Sequence, residues 1–460
     1  MSPLQQDTRH ASVPRRRIAV VGSGIAGLSC AWALSPSHDV TLYERDSRLG
    51  GHANTLDVEG PGGAPLAVDT GFVVYNVPAY PNLDALLAHL GVETRPTDMS
   101  FAVSLDRGRL EYSGTDLPGL FAQRRNLLRP RFWRMLADLL RFYRLAPPAL
   151  DTLDETTTLG DWLDRNRFST ALQDDHLLPM AAAIWSCPTG QVRDYPARAF
   201  IRFCVNHGLL QVSGRPVWRT IVGGSRVTVG LLRDAIARTG TVLTGHAVVA
   251  VRPTPDGVVL TDQAGTRTAF DAVVLACHAP DALALLPDAP ARTREALAAF
   301  RTTANHAVLH RDPALMPGRR RAWSSWNLIG NGGRQTGAPC VTYWMNRLQG
   351  LPGPLPVFVS LNPVRAPDPA TILHTEQYAH PVFDATAQAA QRAVWAVQGI
   401  DGLWFAGAWL GAGFHEDGLQ AGLAVAEALG GVRRPWSVEN ENGRMPGPPL
   451  AAPLVRSRAA

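Results

Sequence analysis

Ile18-Ala19-Val20-Val21-Gly22-Ser23-Gly24-Ile25-Ala26-Gly27, followed by Val40-Thr41-Leu42-Tyr43-Glu44, decides the fold. An apolar run of strand length enters G-x-G-x-x-G, a small-residue stretch from Ala26 to Leu34 reads as a helix, and a second apolar strand ends in an acid. Gly22 permits the tight strand-to-helix turn, Gly24 lets a pyrophosphate reach the backbone, and Gly27 lets helix and strand pack closely. The anion then rests on N–H groups at the helix N-terminus, which have no partner inside the helix. Glu44 follows the last glycine at the spacing of an acid that meets ribose hydroxyls. The stretch predicts dinucleotide binding. Its rival, a glycine-rich turn in another kind of α/β domain, would not require strand, helix and acid together.

Around this unit the composition sets limits. A chain of 460 residues exceeds one ordinary core, so two or three domains are expected. Apolar content of 46% and charged content of 18% are those of a globular protein. The five cysteines, Cys30, Cys187, Cys204, Cys277 and Cys340, are odd in number and lack metal spacing. They read as reduced, mostly buried thiols of a cytoplasmic protein, with no metal site. No run approaches the roughly 18 apolar residues of a membrane span. Arg15-Arg16-Arg17 lead straight into the first strand, without the apolar segment of a signal peptide. All 44 basic side chains are arginine, which excludes Schiff-base and lysine-general-base chemistry. The net charge of +5 comes with no basic-aromatic module, so no nucleic-acid partner is expected.

Along the chain, residues 1–14 and 433–460 are polar, aperiodic and rich in Pro, Arg and Gly, and read as flexible tails. Nucleotide-binding features recur in three places. Residues 15–81 hold the opening unit, the turn Arg48-Leu49-Gly50-Gly51-His52 and the strand end Val68-Asp69-Thr70-Gly71-Phe72. Residues 216–280 hold Ile221-Val222-Gly223-Gly224-Ser225, a helix, a hairpin pairing Val248–Val251 with Gly257–Leu260, and the buried strand Asp271–Ala276. Residues 399–432 hold the strand Leu403-Trp404-Phe405-Ala406-Gly407 and a helix from Leu419 to Leu429. The inserts, 82–215 with a helical pattern and 281–398 with mixed elements, form a substrate domain. The predicted fold is α/β, a discontinuous Rossmann-like domain joined to a mixed α+β substrate domain.

These features resemble the flavin amine oxidase and phytoene desaturase superfamily across most of residues 15–432. The match rests on Gly22–Gly27 with Glu44, Arg48–Gly51, Ile221–Gly224 and Phe405-Ala406-Gly407…Gly413-Phe414-His415-Glu416-Asp417-Gly418. Asn206–Leu210, Trp218–Thr220, Val341–Arg347 and His380–Asp384 are similar to a bacterial NAD/FAD-binding subgroup. That subgroup includes flavoproteins accompanying cyclopropane-fatty-acid-synthase-like methyltransferases and looks similar to the desaturases of methyl-branched and furan fatty acid formation.

The resemblance implies FAD. Gly22, Ser23, Gly24, Ile25, Ala26 and Gly27 would hold the pyrophosphate, Glu44 the adenosine ribose with Arg45 beside it, and Val248 the adenine. Gly50, Gly51 and His52 would pass the isoalloxazine, Gly71 and Phe72 would line it, and Gly407 would pass the ribityl chain. Asp417, Gly418 and Leu419 would bring a helix N-terminus to N1 and the C2 carbonyl, where it favours negative charge. It further implies a small-molecule or lipid substrate and a methyltransferase partner. Departures from the pattern are equally informative. The lysine that commonly holds a water at flavin N5 is missing, Phe414 stands where an aromatic-cage tyrosine is common, and Ala408 replaces an acid. No cysteine lies beyond Cys340, so the cofactor is expected to be non-covalent. Together these point away from simple amine oxidation and toward hydride removal from carbon, with desaturation of a fatty acyl chain as the leading activity. Oxidation of an amine or amino acid, and a flavin-bearing accessory role, are the alternatives.

Three residues are candidates for catalysis. His52, after the glycine pair, has a side chain whose pKa suits proton acceptance, or it simply bonds its own loop. His415 and Glu416 either face substrate or cap the last helix. His380, fixed by Pro381, reads as structural, while Trp185, Trp344 and Trp409 either wall an apolar cavity or fill the core. In 131–144, apolar residues at 132, 135, 136, 139, 142 and 143 oppose charges at 131, 134, 138, 141 and 144. Such a helix packs on its own domain or lies on an anionic inner membrane surface.

Overall fold

The computed structural model describes residues 15–185, 187–331 and 339–450. Ile18, Val20, Leu42, Val273 and Leu275 are fully buried, as strands apolar on both faces must be in the middle of a parallel sheet. That sheet has five strands: β1 (Arg17–Val21), β2 (Asp39–Tyr43), β3 (Thr241–Leu243), β4 (Ala272–Leu275) and β5 (Leu403–Phe405). Their spatial order is β3-β2-β1-β4-β5, every pair parallel, with Ile18 opposite both Val40 and Ala272. Three distant stretches of chain thus build one sheet.

Four helices matter for the site: α1 (Ile25–Leu34), α2 (Pro130–Ala149), α3 (Arg226–Ala237) and α4 (His415–Ala428). α1 packs on both α3 and α4. A Cβ at Gly422 would overlap the Ala26 carbonyl oxygen, so the α1–α4 approach is backbone to backbone.

The second layer is a seven-stranded sheet ordered Ile372–Pro381, Thr302–His310, Phe358–Leu361, Cys340–Trp344, Trp326–Gly330, Phe101–Leu105, Leu110–Ser113. Residues 82–215 therefore depart from the helical expectation, since Thr94–Thr97 is also a strand. Phe101–Leu105 is held by a parallel partner, Trp326–Gly330. Its other neighbour, Leu110–Ser113, is a hairpin partner close in sequence, whereas the parallel partner, more than 200 residues away, leaves no trace in local periodicity.

One further expectation is corrected. Residues 433–450 are packed rather than loose. Arg434, with no exposed side chain, reaches Glu427 (2.8 Å), Asn82 (2.9 Å) and Asn442 (2.9 Å). Trp436 stacks on Trp32 at 6.0 Å, and Trp395 donates to the Pro448 carbonyl. Composition alone could not reveal these partners on the core; residues 1–14 and 451–460 lie outside the described residues.

The apolar face of α2 is also inward. Phe132, Met135 and Phe142 are buried, and Asp138, assigned to the polar face, is buried with Arg134 (3.3 Å), Arg141 (3.2 Å) and the Ser169 N–H. Of the two readings of this stripe, burial favours packing on its own domain. Among the described residues no helix is long and apolar enough to cross a membrane.

Candidate active site

A single cavity of about 990 Å³ runs from the C-terminal ends of β1, β2 and β4 to the second sheet, the place where open α/β sheets take ligands. Its first part is a groove built on the opening glycines. Gly22 adopts φ +101°, and a Cβ there would strike the Ala276 carbonyl. A Cβ at Gly27 would overlap the Gly22 carbonyl oxygen, so Gly27 is fixed by packing, whereas a Cβ at Gly24 would project into open groove. Ser23 donates its N–H (2.9 Å) and hydroxyl (2.6 Å) to one oxygen of Glu44, and the Asp46 N–H donates to the other (2.9 Å). Gly50 donates to the Ser23 carbonyl, and Gly51 lies against the Gly24 Cα. The early N–H groups of α1 lack helical partners. The residues present fit a dinucleotide: an open glycine cradle, free N–H donors and an acid 8% exposed at the end of β2.

Of the residues expected to hold the cofactor, Gly22–Ala26, Glu44, Arg45, Gly50–His52, Gly71, Phe72, Val248 and Gly407 line the cavity. Asp417, Gly418 and Leu419 do not line it. α4 begins at His415, four residues before the expected start, so Gly413, Phe414 and His415 form that wall instead. Asp417 accepts the Phe414 N–H (2.8 Å) and pairs with Arg444 (3.3 Å), the Gly418 N–H bonds within the helix, and Leu419 is core.

Glu416 leaves the catalytic set. Its carboxylate, fully buried, accepts the backbone N–H groups of Asn82 (3.1 Å) and Leu83 (3.0 Å) and the amides of Asn82 and Gln420. It satisfies the free N-terminal donors of the helix Pro81–His89, and faces away from the cavity.

His52 and His415 both line the cavity, each with a buried Nε2 that has no hydrogen-bond partner in the protein. His415 stacks on Phe72 with ring centroids 3.8 Å apart. Burial holds His415 down at about 3 and His52 well below the usual histidine range, helped there by His380 and His278. His380, read as structural, belongs to the same wall: its ring lies 5.4 Å from His52, with Tyr378 4.9 Å and His278 6.0 Å from it. Burial lowers His380 to about 4. Sequence reading missed His278 and Tyr378, and the one available signal was the position of His278 just after β4.

Beyond the histidines the cavity widens into a chamber walled by Phe101, Leu120, Leu136, Leu139, Met180, Ile184 and Phe203. Trp185 and Trp409 line the cavity; Trp344 does not, lying instead against Trp323 at 5.5 Å. Phe414 stacks on Phe203 at 4.9 Å. The chamber's carboxylate, Asp98, is held by Arg347 (2.8 Å), Ser100 and Ser325. Asp69, nearer the glycine turn, accepts from Thr55, Ser225 and Gln349, and burial pushes it up to about 6.

The sequence profile described as flavin containing amine oxidoreductase matches residues 25–309. The chain is 29% identical over 316 residues to a coproporphyrinogen III oxidase of Mycobacterium tuberculosis, covering 64% of this chain and 66% of that protein's length. Two solved structures share the fold. A cyclohexylamine oxidase from Brevibacterium oxydans has a TM-score of 0.61 at 18% identity, covering 91% of this chain and all of that one. A CLA-producing fatty acid isomerase from P. acnes has a TM-score of 0.62 at 14% identity, covering 90% and 98%. With a groove that fits a dinucleotide opening into a cavity on a second sheet, and with the profile match over more than half of its length, the chain belongs to the flavin containing amine oxidoreductase family, a family of flavin-dependent oxidoreductases.

Proposed function

We propose that the protein binds FAD non-covalently and removes a hydride from a carbon of a long acyl chain, leaving a double bond in a fatty acyl lipid. The observation that carries this reading is the junction of a dinucleotide cradle with a chamber whose wall is aliphatic and aromatic and whose carboxylate is already engaged. Gly22–Ala26 would hold the pyrophosphate, Glu44 and Arg45 the adenosine ribose, Val248 the adenine, and Gly50–His52, Gly71, Phe72, Gly407 and His415 the remainder. Bound FAD supplies the hydride acceptor, which the side chains alone lack. Among the five thiols only Cys277 lines the cavity, beside the glycine cradle, and burial pushes it up to about 12, which disfavours the thiolate a covalent link needs and supports the non-covalent reading.

Leaving a double bond takes one hydrogen as hydride and the hydrogen on the neighbouring carbon as a proton. His52, whose buried ring is neutral with an unpartnered Nε2, is the acceptor of that proton in this reading, with His415 stacked against Phe72 to shape the passage. The apolar wall excludes water from the reacting carbon. A bilayer is the source of such a substrate. The docking face is not the inward stripe of α2 but Leu117, Leu127, Leu128 and Trp133, which are exposed. Trp133 donates to the Leu127 carbonyl and lies 5.7 Å from Phe121, so these residues form one patch. Of the five arginines between Leu117 and Ala137, Arg131 and Arg134 are paired with Asp175 and Asp138, while Arg124, Arg125 and Arg129 have no ion pair among the described residues and are complementary to anionic phospholipid.

The test is anaerobic. Mixing flavin-loaded protein with fatty acids or phospholipids is expected to bleach the yellow oxidised flavin, and mass spectrometry is expected to find the chain two hydrogens lighter. Bleaching with amines, but with no acyl chain, replaces this reading with amine oxidation.

A further inference from the structure

We infer that Arg215 is the receptor for an anionic headgroup, and that the chamber selects chains ending in a carboxylate or phosphodiester; this rests on the acyl-chain reading above. Two guanidinium groups line the cavity, Arg45 and Arg215. Arg45 lies at the dinucleotide end beside Asp46 (3.9 Å). Arg215 sits on the exposed loop after His207, on the chamber side, and has no carboxylate within ion-pair distance among the described residues. Its Nε donates to the Gln211 carbonyl (2.7 Å), which anchors the side chain and leaves its other N–H groups directed elsewhere.

What shares the wall with the guanidinium makes this more than a solvated surface charge. Tyr143 of α2 and the buried His176 line the same cavity, and the guanidinium charge favours ionisation of the tyrosine hydroxyl and disfavours protonation of the His176 ring. His176 is bonded through Nδ1 to the Tyr112 hydroxyl (2.9 Å), itself in the wall. One cation and three ring polar groups therefore gather at one side of a cavity whose neighbours are Leu136, Leu139 and Met180. An arginine fork matches the paired oxygens of a carboxylate or phosphate. The apolar wall accepts the chain behind it, and the nearby carboxylate Asp98 does not compete, being held by Arg347. A neutral ester gains a hydrogen bond here without the charge pairing, and an ammonium is repelled.

The test uses flavin-loaded protein titrated with palmitate, with palmitoyl lysophosphatidylglycerol and with the neutral methyl palmitate. Binding is followed by tryptophan fluorescence, so that turnover is not required. At least one anionic chain is expected to bind about 10- to 100-fold more tightly than the methyl ester, the worth of a charge-assisted pair. R215Q is expected to erase that margin while leaving methyl palmitate unchanged, and R215K to keep part of it. The anion that shows the margin identifies the headgroup as free acid or phospholipid. Equal affinity for acid, phospholipid and ester in the unaltered protein overturns the assignment, as does R215Q weakening the ester as much as the anions. If no chain binds whatever its headgroup, the acyl-chain reading itself fails, a result distinct from loss of the headgroup preference alone.

Discussion

Glu44 divides its carboxylate between two tasks, one oxygen fixing the Ser23 N–H and hydroxyl and the other the Asp46 N–H. It thereby shapes the phosphate loop as well as facing the cavity. E44Q, which keeps the size but exchanges an acceptor oxygen for a donor, is expected to weaken FAD binding by about 10- to 100-fold, from lost hydrogen bonds to a charged group. Fluorescence titration of flavin-free protein measures it, and affinity within twofold of the unaltered protein would contradict the role. His52 makes a different demand. H52Q is expected to slow anaerobic flavin reduction by about 100-fold or more, the usual worth of a positioned acid–base group, while changing flavin affinity only a few-fold. Stopped-flow reduction and flavin titration separate the two. At this scale the sequence was legible wherever a residue's role follows from its neighbours in the chain, as for Gly22, Gly27 and Glu44. It was not where the partner is remote: Glu416 was read as facing substrate or capping the last helix and proves to be held by Asn82 and Leu83, more than 330 positions away.

Elements show the same division. β1, α1 and β2 are continuous in sequence and were readable from periodicity and glycine spacing, and so was β4 from its apolar run. The strand Phe101–Leu105 was missed despite a hairpin partner near in sequence, Leu110–Ser113; its parallel pairing with Trp326–Gly330 is the part that no local signal carries. The contact of α1 with α4 carries a strict steric condition at Gly422, whose added Cβ would meet the Ala26 carbonyl and the Ser29 hydroxyl. G422V is expected to force α4 outward and lower stability by about 3 kcal/mol, at the upper end of overpacking costs, and flavin retention should fall with it, since α4 starts at the cavity wall. Thermal unfolding with and without added FAD checks this. The patch on Leu117, Leu127, Leu128 and Trp133 belongs to this scale too. Arg125 and Arg129 both donate to the Arg109 carbonyl beside it (2.6 and 2.9 Å). Sedimentation with phosphatidylglycerol vesicles is expected to capture the protein at low salt, phosphatidylcholine vesicles much less. R124Q with R125Q is expected to reduce capture about fivefold per arginine, near 1 kcal/mol each. Equal capture by both lipids would remove the patch as a docking face.

At the scale of the whole molecule, the cavity that joins the two sheets also concentrates its titrating groups. His52, His176, His207, His380 and His415 all line it. Burial keeps them neutral, His176 and His380 at about 4, His207 and His415 at about 3, and His52 well below 6.5. Because each folded-state value lies below the unfolded one, their contribution to stability is complete above about pH 6.5. It is lost as the pH falls toward 4, when the unfolded chain gains protons that the folded cavity refuses, at about 1.4 kcal/mol per pH unit for each histidine. Asp69 acts in the opposite sense, since burial raises it from 3.8 to about 6 and the folded state takes up its proton first on acidification. One carboxyl against five imidazoles leaves the histidines dominant. The guanidinium chloride midpoint is therefore expected to fall steadily from pH 7 to pH 5. H207F, which removes a buried ring nitrogen lacking a partner, is expected to flatten that slope by about one histidine's share. A midpoint level or rising over this interval would mean that the five rings are reached by water, and that the chamber is too wet to shelter an acyl chain.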